Sequence, residues 1–115
     1  MRLDIRGLDI DLTDALMVHV QKQLKQALAR SSARIGTVHV YVNDVNGPHG
    51  GIDKRCQLEV AFHGGGTAFV EDVNKDMYVA ISRAAARLKR MVRRQSDRRH
   101  PTERRPRMST SGLPT

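Results

Sequence analysis

The chain has 115 residues and a formal net charge of +8, with 20 Lys and Arg against 12 Asp and Glu, and this length allows one domain. The single cysteine cannot form an internal disulfide, and no apolar segment approaches the ~20 residues of a membrane span. The N-terminus also lacks a basic stretch followed by an apolar run, so we expect a soluble cytoplasmic protein and exclude the secreted and integral membrane classes.

The first two predicted elements are a short strand and a helix. Leu3 and Ile5 alternate with charged residues up to Gly7, which is typical of a half-buried strand. Thr13 can cap the helix that follows, and Asp14 lies favourably in its first turn. The apolar stripe of this helix consists of Leu16, Val20, Leu24, Ala27 and Leu28.

A second strand and a loop follow the first helix. Valines alternate with polar residues over 37–44, which is the period of a strand with one buried face. The composition of 44–53, rich in Gly, Asn and Asp, predicts a loop.

The next segment predicts a β-hairpin. A strand over 54–63 has alternating inward positions at Cys56, Leu58, Val60 and Phe62. The glycine-rich sequence at 63–67 predicts the turn, and 67–72 predicts the returning strand. The sequence does not decide which face of the sheet the Phe69 side chain lies on, because its neighbours Ala68 and Val70 are also candidates for the core-facing positions.

The last element is a helix from about Met77 to about Gln95, with Asp76 as its cap. At about 100° per residue, its apolar and basic stripes point roughly 180° apart. The apolar stripe is Ile81, Ala85, Leu88 and Val92, and the arginine stripe is Arg83, Arg87, Arg90 and Arg94. The sequence after Arg98 offers almost no apolar residues, so we expect a domain over 1–97 and a flexible basic tail over 98–115.

This order of elements, β-α-β-β-β-α, predicts an α+β fold. Since the strands and helices each show one apolar face, the economical arrangement is a four-stranded sheet with two helices packed on one face. The outer surfaces of the helices then lie side by side, so that Lys22 and Lys25 join the arginine stripe.

The positive charge is confined to the final third of the chain. Residues 1–81 contain nine Lys or Arg against ten Asp or Glu, whereas residues 82–115 contain eleven against two. Such segregation indicates a polyanionic partner, and the prevalence of Arg favours phosphate contacts. The stripe itself contains no acid for i,i+4 pairing. The candidate RNA-binding residues are Arg83, Arg87, Lys89, Arg90, Arg93, Arg94, Lys22 and Lys25.

Three segments in order resemble one known family. They are the opening "MRLDIRGLDIDLTDALMVHV", the hairpin "GGGTAFVEDV" and the last helix "DMYVAISRAAARLKRMVRR". Over roughly residues 1–97 the chain resembles the ribosome hibernation promoting factors, also called ribosome-associated inhibitors, ribosomal subunit interface proteins or sigma-54 modulation proteins.

This resemblance implies a fold akin to double-stranded-RNA-binding domains. It also implies binding to ribosomal RNA in the messenger RNA and transfer RNA channel of the small ribosomal subunit, which holds ribosomes idle in starved or stationary cells. Arg87 and Arg90 match basic positions of the family's last helix, and Arg93 and Arg94 lie in its basic end. The matching helix start, which we interpret as structural, is Asp76, Met77 and Tyr78.

The chain departs from the family pattern in three ways. Ser82 stands where many members have an acid, which makes this helix more basic. The tail after Arg98 follows no family pattern. The second domain with which long members pair ribosomes is absent, so the chain should resemble the short forms.

The sequence does not indicate other chemistry. The five histidines show no metal-ligand spacing, and Cys56 alternates with apolar residues, as a core cysteine does. The clustered acids at 9–14 and 71–76 suggest caps and solvated loops. Aromatic residues are scarce, which argues against a base-stacking platform. We therefore expect no metal, no cofactor, no small-molecule substrate and no enzymatic activity.

The sequence leaves alternatives to RNA binding open. One is a regulatory protein-binding module of the sigma-factor modulation type, which would not need such dense arginines. Another is a peripheral membrane domain, which is disfavoured because no exposed Trp or Phe is predicted for insertion. RNA binding that engages ~5 phosphates predicts a slope of about −4 for log affinity against log salt. Away from the ribosome we expect a monomer, although the edge strand at 2–6 could pair with a second copy.

Overall fold

The computed structural model describes residues 1–44 and 54–104, with side chains described as far as Gln95. Its elements are β1 (Arg2–Leu8), α1 (Asp14–Ala27), a 3-10 turn (Ala29–Arg34), β2 (Ile35–Asp44), β3 (Lys54–Phe62), β4 (Thr67–Asn74) and α2 (Met77–Arg104). The predicted α+β class and element order are confirmed. Of the loop predicted at 44–53, all but Asp44 lies outside the described residues.

The four strands form one sheet in the order β1-β2-β3-β4. β1 and β2 are parallel and are connected through α1, because parallel neighbours need a crossover. β2 and β3 are antiparallel, as are β3 and β4. β1 and β4 are therefore the two edges of the sheet.

One hydrophobic core joins the sheet to both helices. The predicted inward positions of β2 and β3 are buried, as are the apolar stripes of α1 and α2, apart from the partly buried Ala27. Since these residues form a single cluster, both helices cover the same face of the sheet. The largest fully buried side chains are Leu24, Leu28, Ile35, Leu58, Ile81 and Leu88.

The alternation in β4 decides the open question about Phe69. Ala68, Val70 and Asp72 are buried, whereas Phe69 is 50% exposed. Residues at even positions of β4 thus face the helices, and Phe69 and Val73 face away from them.

The predicted turn and caps are confirmed. Gly65 and Gly66 both have positive φ, which suits the tight turn between β3 and β4. The Thr13 side chain accepts a hydrogen bond from the Leu16 N–H at 3.1 Å. The Asp76 carboxylate accepts one from the Tyr78 N–H at 2.8 Å.

The helix α2 continues to Arg104, so the end expected near Gln95 was too early. The arginines between them favour continued helix, and Pro101, which disfavours it, lies within the last four residues of α2. The flexible tail stays a prediction, and residues 105–115 lie outside the described residues. No helix in the described ranges is both long and apolar enough to cross a bilayer.

Candidate nucleic-acid interface

All eight candidate RNA-binding residues are exposed on the helices. Their side chains lie outside the core on the surfaces of α1 and α2, so each is accessible to a partner. They are Lys22, Lys25, Arg83, Arg87, Lys89, Arg90, Arg93 and Arg94. Their surroundings nevertheless differ, and they fall into distinct groups.

The buried face of α2 is wider than its apolar stripe indicates. Ala80 and Ala84 are also fully buried. At about 100° per residue, both positions lie between the apolar stripe and the arginine stripe. The arginine stripe therefore flanks β4 instead of following the outermost line of the helix, and this position brings it within reach of strand residues.

Arg83 and Arg87 share a buried carboxylate on β4. Asp72 is only 5% exposed, and its carboxylate lies 3.3 Å from Arg83 Nε and 3.5 Å from Arg87 Nη2. The expectation that this acid belongs to a cap or a solvated loop is therefore wrong. A carboxylate is buried only when cations or donors compensate its lost hydration, which explains why both guanidinium groups turn towards the sheet. Both arginine side chains still keep half or more of their surface exposed.

Arg87 also covers the free edge of the sheet. Its Nη1 donates a hydrogen bond to the backbone carbonyl of Glu71 at 3.0 Å. About two helical turns further along α2, Gln95 Nε2 donates a hydrogen bond to the backbone carbonyl of Thr67 at 3.3 Å. These bonds fasten α2 along the β4 edge, so Arg87 has a structural role in addition to its exposed position.

Cys56 lies next to Asp72 in the interior. The two residues are partners in the β3–β4 register. Burial, and then the negative charge of Asp72, raise the pKa of the Cys56 thiol from 9.0 to about 12. A thiol with so high a pKa is protonated at neutral pH and is a poor nucleophile. The interpretation of Cys56 as a core residue is thus supported by its burial.

Four cations of α2 between Lys89 and Arg94 have no acidic partner among the described side chains. Lys89, Arg90, Arg93 and Arg94 are exposed, and none forms an ion pair with any side chain that the structure describes. Like charges four residues apart on a helix repel one another, so this arrangement favours the binding of an anion.

The opposite face of the sheet shows the contrasting arrangement. Arg6 Nε lies 3.6 Å from a carboxylate oxygen of Asp4, and Arg55 Nε lies 3.3 Å from one of Glu71. On that face Arg6 and Arg55 are thus balanced locally by acids. The excess positive potential therefore belongs to the helical side of the molecule.

Two surface grooves border the unpaired cations of α2. The helix groove, between the end of α1 and α2, has a volume of about 490 Å³ and is lined in part by Arg30, Lys89 and Arg93. The edge groove lies between β4 and α2 and has a volume of about 390 Å³. Its lining includes Phe69, Arg87, Arg90, Met91 and Arg94. Lys22 and Lys25 line neither of these two grooves.

Sequence reasoning missed two residues of these grooves. Arg30 follows α1 in the 3-10 turn, and its proximity to α2 depends on tertiary packing. Phe69 was left without a face, and the acid Asp72 would have suggested the wrong one, because it shares the buried parity of Ala68 and Val70. Among the side chains that the structure describes, no three His, Cys, Asp or Glu are grouped to hold a metal ion.

A histidine fixes the two helices to each other. His19 Nε2 on α1 lies 3.0 Å from the Tyr78 carbonyl oxygen and 3.0 Å from the Ser82 hydroxyl, both on α2. The His19 ring also makes an edge contact with the Tyr78 ring, at 5.0 Å between centroids. Ser82, the position of a departure from the family pattern, therefore helps to hold the basic surfaces of α1 and α2 in one orientation.

Comparisons with known proteins agree with this architecture. The family model described as "Sigma 54 modulation protein / S30EA ribosomal protein" matches residues 3–100. The chain is similar to the crystal structure of the N-terminal domain of Protein Y from Thermus thermophilus. The identity is 27% and the TM-score 0.67, over 82% of this chain and 98% of that chain.

A second solved structure shares the fold. It is a ribosomal subunit interface protein from Coxiella burnetii, with a TM-score of 0.72 over 84% of this chain and 99% of that chain. At 18% identity this likeness shows the fold alone. The search of curated proteins gives no match.

Proposed function

Because this chain belongs to the sigma 54 modulation protein / S30EA ribosomal protein family, we propose that it binds the small ribosomal subunit and silences translation. In this proposal the chain occupies the channel of messenger RNA and transfer RNA, and so holds ribosomes idle when cells stop growing. It acts in the cytoplasm, where ribosomes are located. It inhibits translation by blocking the channel sterically and catalyses no reaction.

The observation that carries this proposal is the row of four cations on α2 that have no acidic partner in the described part of the chain. Lys89, Arg90, Arg93 and Arg94 are exposed and have no carboxylate partner among the described side chains. Guanidinium groups present planar forks of donors that match phosphate oxygens. A phosphate backbone provides several such oxygens at regular spacing, which a single small anion does not.

RNA helices are a suitable form of polyanion for this surface. The exposed side of the two helices carries several cations, and the wide, shallow minor groove of RNA is recognised by shape and phosphate contacts. Arg83 and Arg87 contribute through their exposed parts, while Asp72 holds them in place. Lys22 and Lys25 extend the basic surface on α1.

A protein-binding role would require less positive charge. The unpaired cations would then have to meet an acidic protein surface, and the family's ribosomal description favours RNA over such a partner. The proposal therefore ranks ribosomal RNA first and an acidic protein second.

Sucrose-gradient sedimentation tests this function. Lysates of growing and starved cells are separated at low salt, and the chain is located by immunoblot. We expect it to sediment with small subunits or whole ribosomes in starved cells, and to dissociate when the salt concentration is raised. If the chain stays at the top of the gradient in both states at low salt, the proposed function is wrong.

A further inference from the structure

The edge groove combines features that phosphate contacts alone do not use. Phe69 lines it, and this residue is among the most exposed large apolar residues of the chain, at 50%. Met91, which is partly buried against the core, also lines it. Arg90 and Arg94 border the same groove. This groove thus joins an apolar surface to two cations that have no acidic partner among the described side chains, a combination that resembles neither a core nor a plain solvated face.

The backbone of β4 adds hydrogen-bonding groups to this groove. The Phe62 N–H donates to the Gly66 carbonyl at 3.1 Å, which sets the phase of the β3–β4 ladder. In an antiparallel pair, ladder bonds alternate along the strand. The backbone N–H and C=O of Phe69 therefore point to the free edge, as the carbonyls of Thr67 and Glu71 do.

Among the described side chains of α2, two form hydrogen bonds with the backbone carbonyls on either side of Phe69, but none forms one with the Phe69 backbone. The Thr67 and Glu71 carbonyls accept hydrogen bonds from Gln95 and Arg87, respectively. The Phe69 backbone lies between them and makes no such bond with any described side chain. One donor and one acceptor thus remain available where the groove lies.

We propose that the edge groove receives a single unpaired nucleotide of the bound RNA. Its phosphate would lie against Arg90 and Arg94, and its base against Phe69 and Met91 within reach of the free strand edge. An extruded base offers both an apolar face and polar edges, which matches this lining. The inference rests on the proposed function, because it assigns a base contact to the sheet edge that borders the RNA-binding helical side. The Phe69 side chain faces away from the helices, so the base would reach it around the free edge of β4.

The groove would give the protein a preference for a particular place on its RNA. Phosphate contacts position a protein but carry little sequence information, whereas a pocket for one unpaired base selects loops and bulges over continuous helices. The edge groove would therefore set where the chain docks, while the cations supply most of the affinity.

Binding of purified small ribosomal subunits by Phe69 variants tests this inference. We expect Phe69→Ala to weaken affinity roughly 5-fold or more, the loss typical of one stacked base. The slope of log affinity against log salt should not change, because no charge is removed. Phe69→Leu should lose nearly as much, since it keeps apolar bulk but lacks the ring.

Val73→Ala is the matched control, because Val73 is an exposed residue on the same face of β4 outside the edge groove. We expect this variant to bind as the wild type does. Thermal unfolding of each variant identifies any loss that comes from the fold.

A photo-crosslinking residue at position 69 locates the contact. We expect it to react with an unpaired nucleotide of the ribosomal RNA. A crosslink to a base-paired helix or to a ribosomal protein, or wild-type affinity in Phe69→Ala, overturns the inference while the proposed function stands. If the wild-type chain itself does not bind small subunits, the proposed function has failed, and the inference fails with it.

Discussion

Asp72 holds two of the basic side chains of α2 against the sheet. If one arginine is removed, the buried Asp72 carboxylate still bears the full cost of its desolvation. Its burial therefore depends on Arg83 and Arg87 together. The same contacts draw part of two cations away from solvent. At the scale of single residues, the arginine stripe therefore combines side chains that stabilise the fold with side chains that are free to bind.

Charge reversal separates these two kinds of arginine. Arg87→Glu would place a second carboxylate beside Asp72 and remove the donor to the Glu71 carbonyl. We expect it to lower the free energy of unfolding by about 1–3 kcal/mol. Arg90→Glu, on an exposed position without a described partner, should stay within about 0.5 kcal/mol of the wild type. Urea denaturation followed by circular dichroism measures both, and equal stabilities would contradict the role assigned to Asp72.

The raised pKa of Cys56 predicts resistance to alkylation. With a pKa of about 12 instead of 9.0, the thiol ionises only at strongly alkaline pH. Each pKa unit changes the thiolate fraction tenfold, so at pH 8 the folded protein should contain about a thousandfold less thiolate than the unfolded chain. Iodoacetamide labelling followed by mass spectrometry should show slow modification in buffer and rapid modification in urea. Comparable rates in both conditions would mean that Cys56 is accessible.

Residue-level prediction from the sequence succeeded where alternation was unambiguous. In β3, every second residue from Cys56 to Phe62 is apolar, and those residues are buried. In β4 the inward series includes Asp72, and an acid in a core position contradicts the usual pattern. Its partners, Arg83 and Arg87, lie on another element, so the compensation could not be deduced without the packing of α2 on β4.

The two helices bear the eight candidate RNA-binding residues, and their N-terminal caps fix where each helix begins. In α2 the Asp76 carboxylate accepts the Tyr78 N–H, and the backbone carbonyl of Asp76 accepts the Ala80 N–H at 3.0 Å. Because the helix start sets the direction of every later side chain, this cap helps to define which positions of α2 face the core.

Removal of the cap should weaken the fold without affecting the basic surface. We expect Asp76→Ala to cost about 0.5–2 kcal/mol, because it leaves N–H groups of the first turn without an acceptor. Lys75→Ala is the control, since the neighbouring exposed lysine has no capping role. Urea denaturation should show the loss for Asp76→Ala alone. Equal stability of the two variants would show that the cap contributes little.

Periodicity predicted the helices and strands, but it did not predict the end of α2 or the grooves between elements. The stripe of α1 and the alternation of β2 gave the right elements because each has one buried face. The end of α2 was placed too early, since a segment without apolar residues, as at 96–104, gives no periodic signal. The two grooves could not be predicted, because each is formed by elements distant in the sequence.

At the scale of the whole molecule, the fold separates charge into two sides. Acids and bases pair on the open face of the sheet, as Arg6 does with Asp4 and Arg55 with Glu71. The helical side presents cations that lack such partners in the described part of the chain. The α+β arrangement thus places the candidate RNA-binding cations opposite a face on which Arg6 and Arg55 are paired with acids.

A paired charge-reversal experiment on small ribosomal subunits tests this account most directly. Affinity is measured at several salt concentrations for the wild type and two double variants. Arg90→Glu with Arg94→Glu changes the helical side, and Arg2→Glu with Arg6→Glu makes the same change of net charge on β1. The wild type should show a slope of log affinity against log salt of about −4.

We expect the α2 variant to lose affinity by at least about tenfold and to show a slope shallower by about 2, because two phosphate contacts are removed. The β1 variant should keep the slope of the wild type. Its affinity should fall only by the small amount that the lower net charge of the whole protein causes. Equal losses in both variants, or no loss in the α2 variant, would contradict the claim that the cations of α2 form the RNA-binding surface.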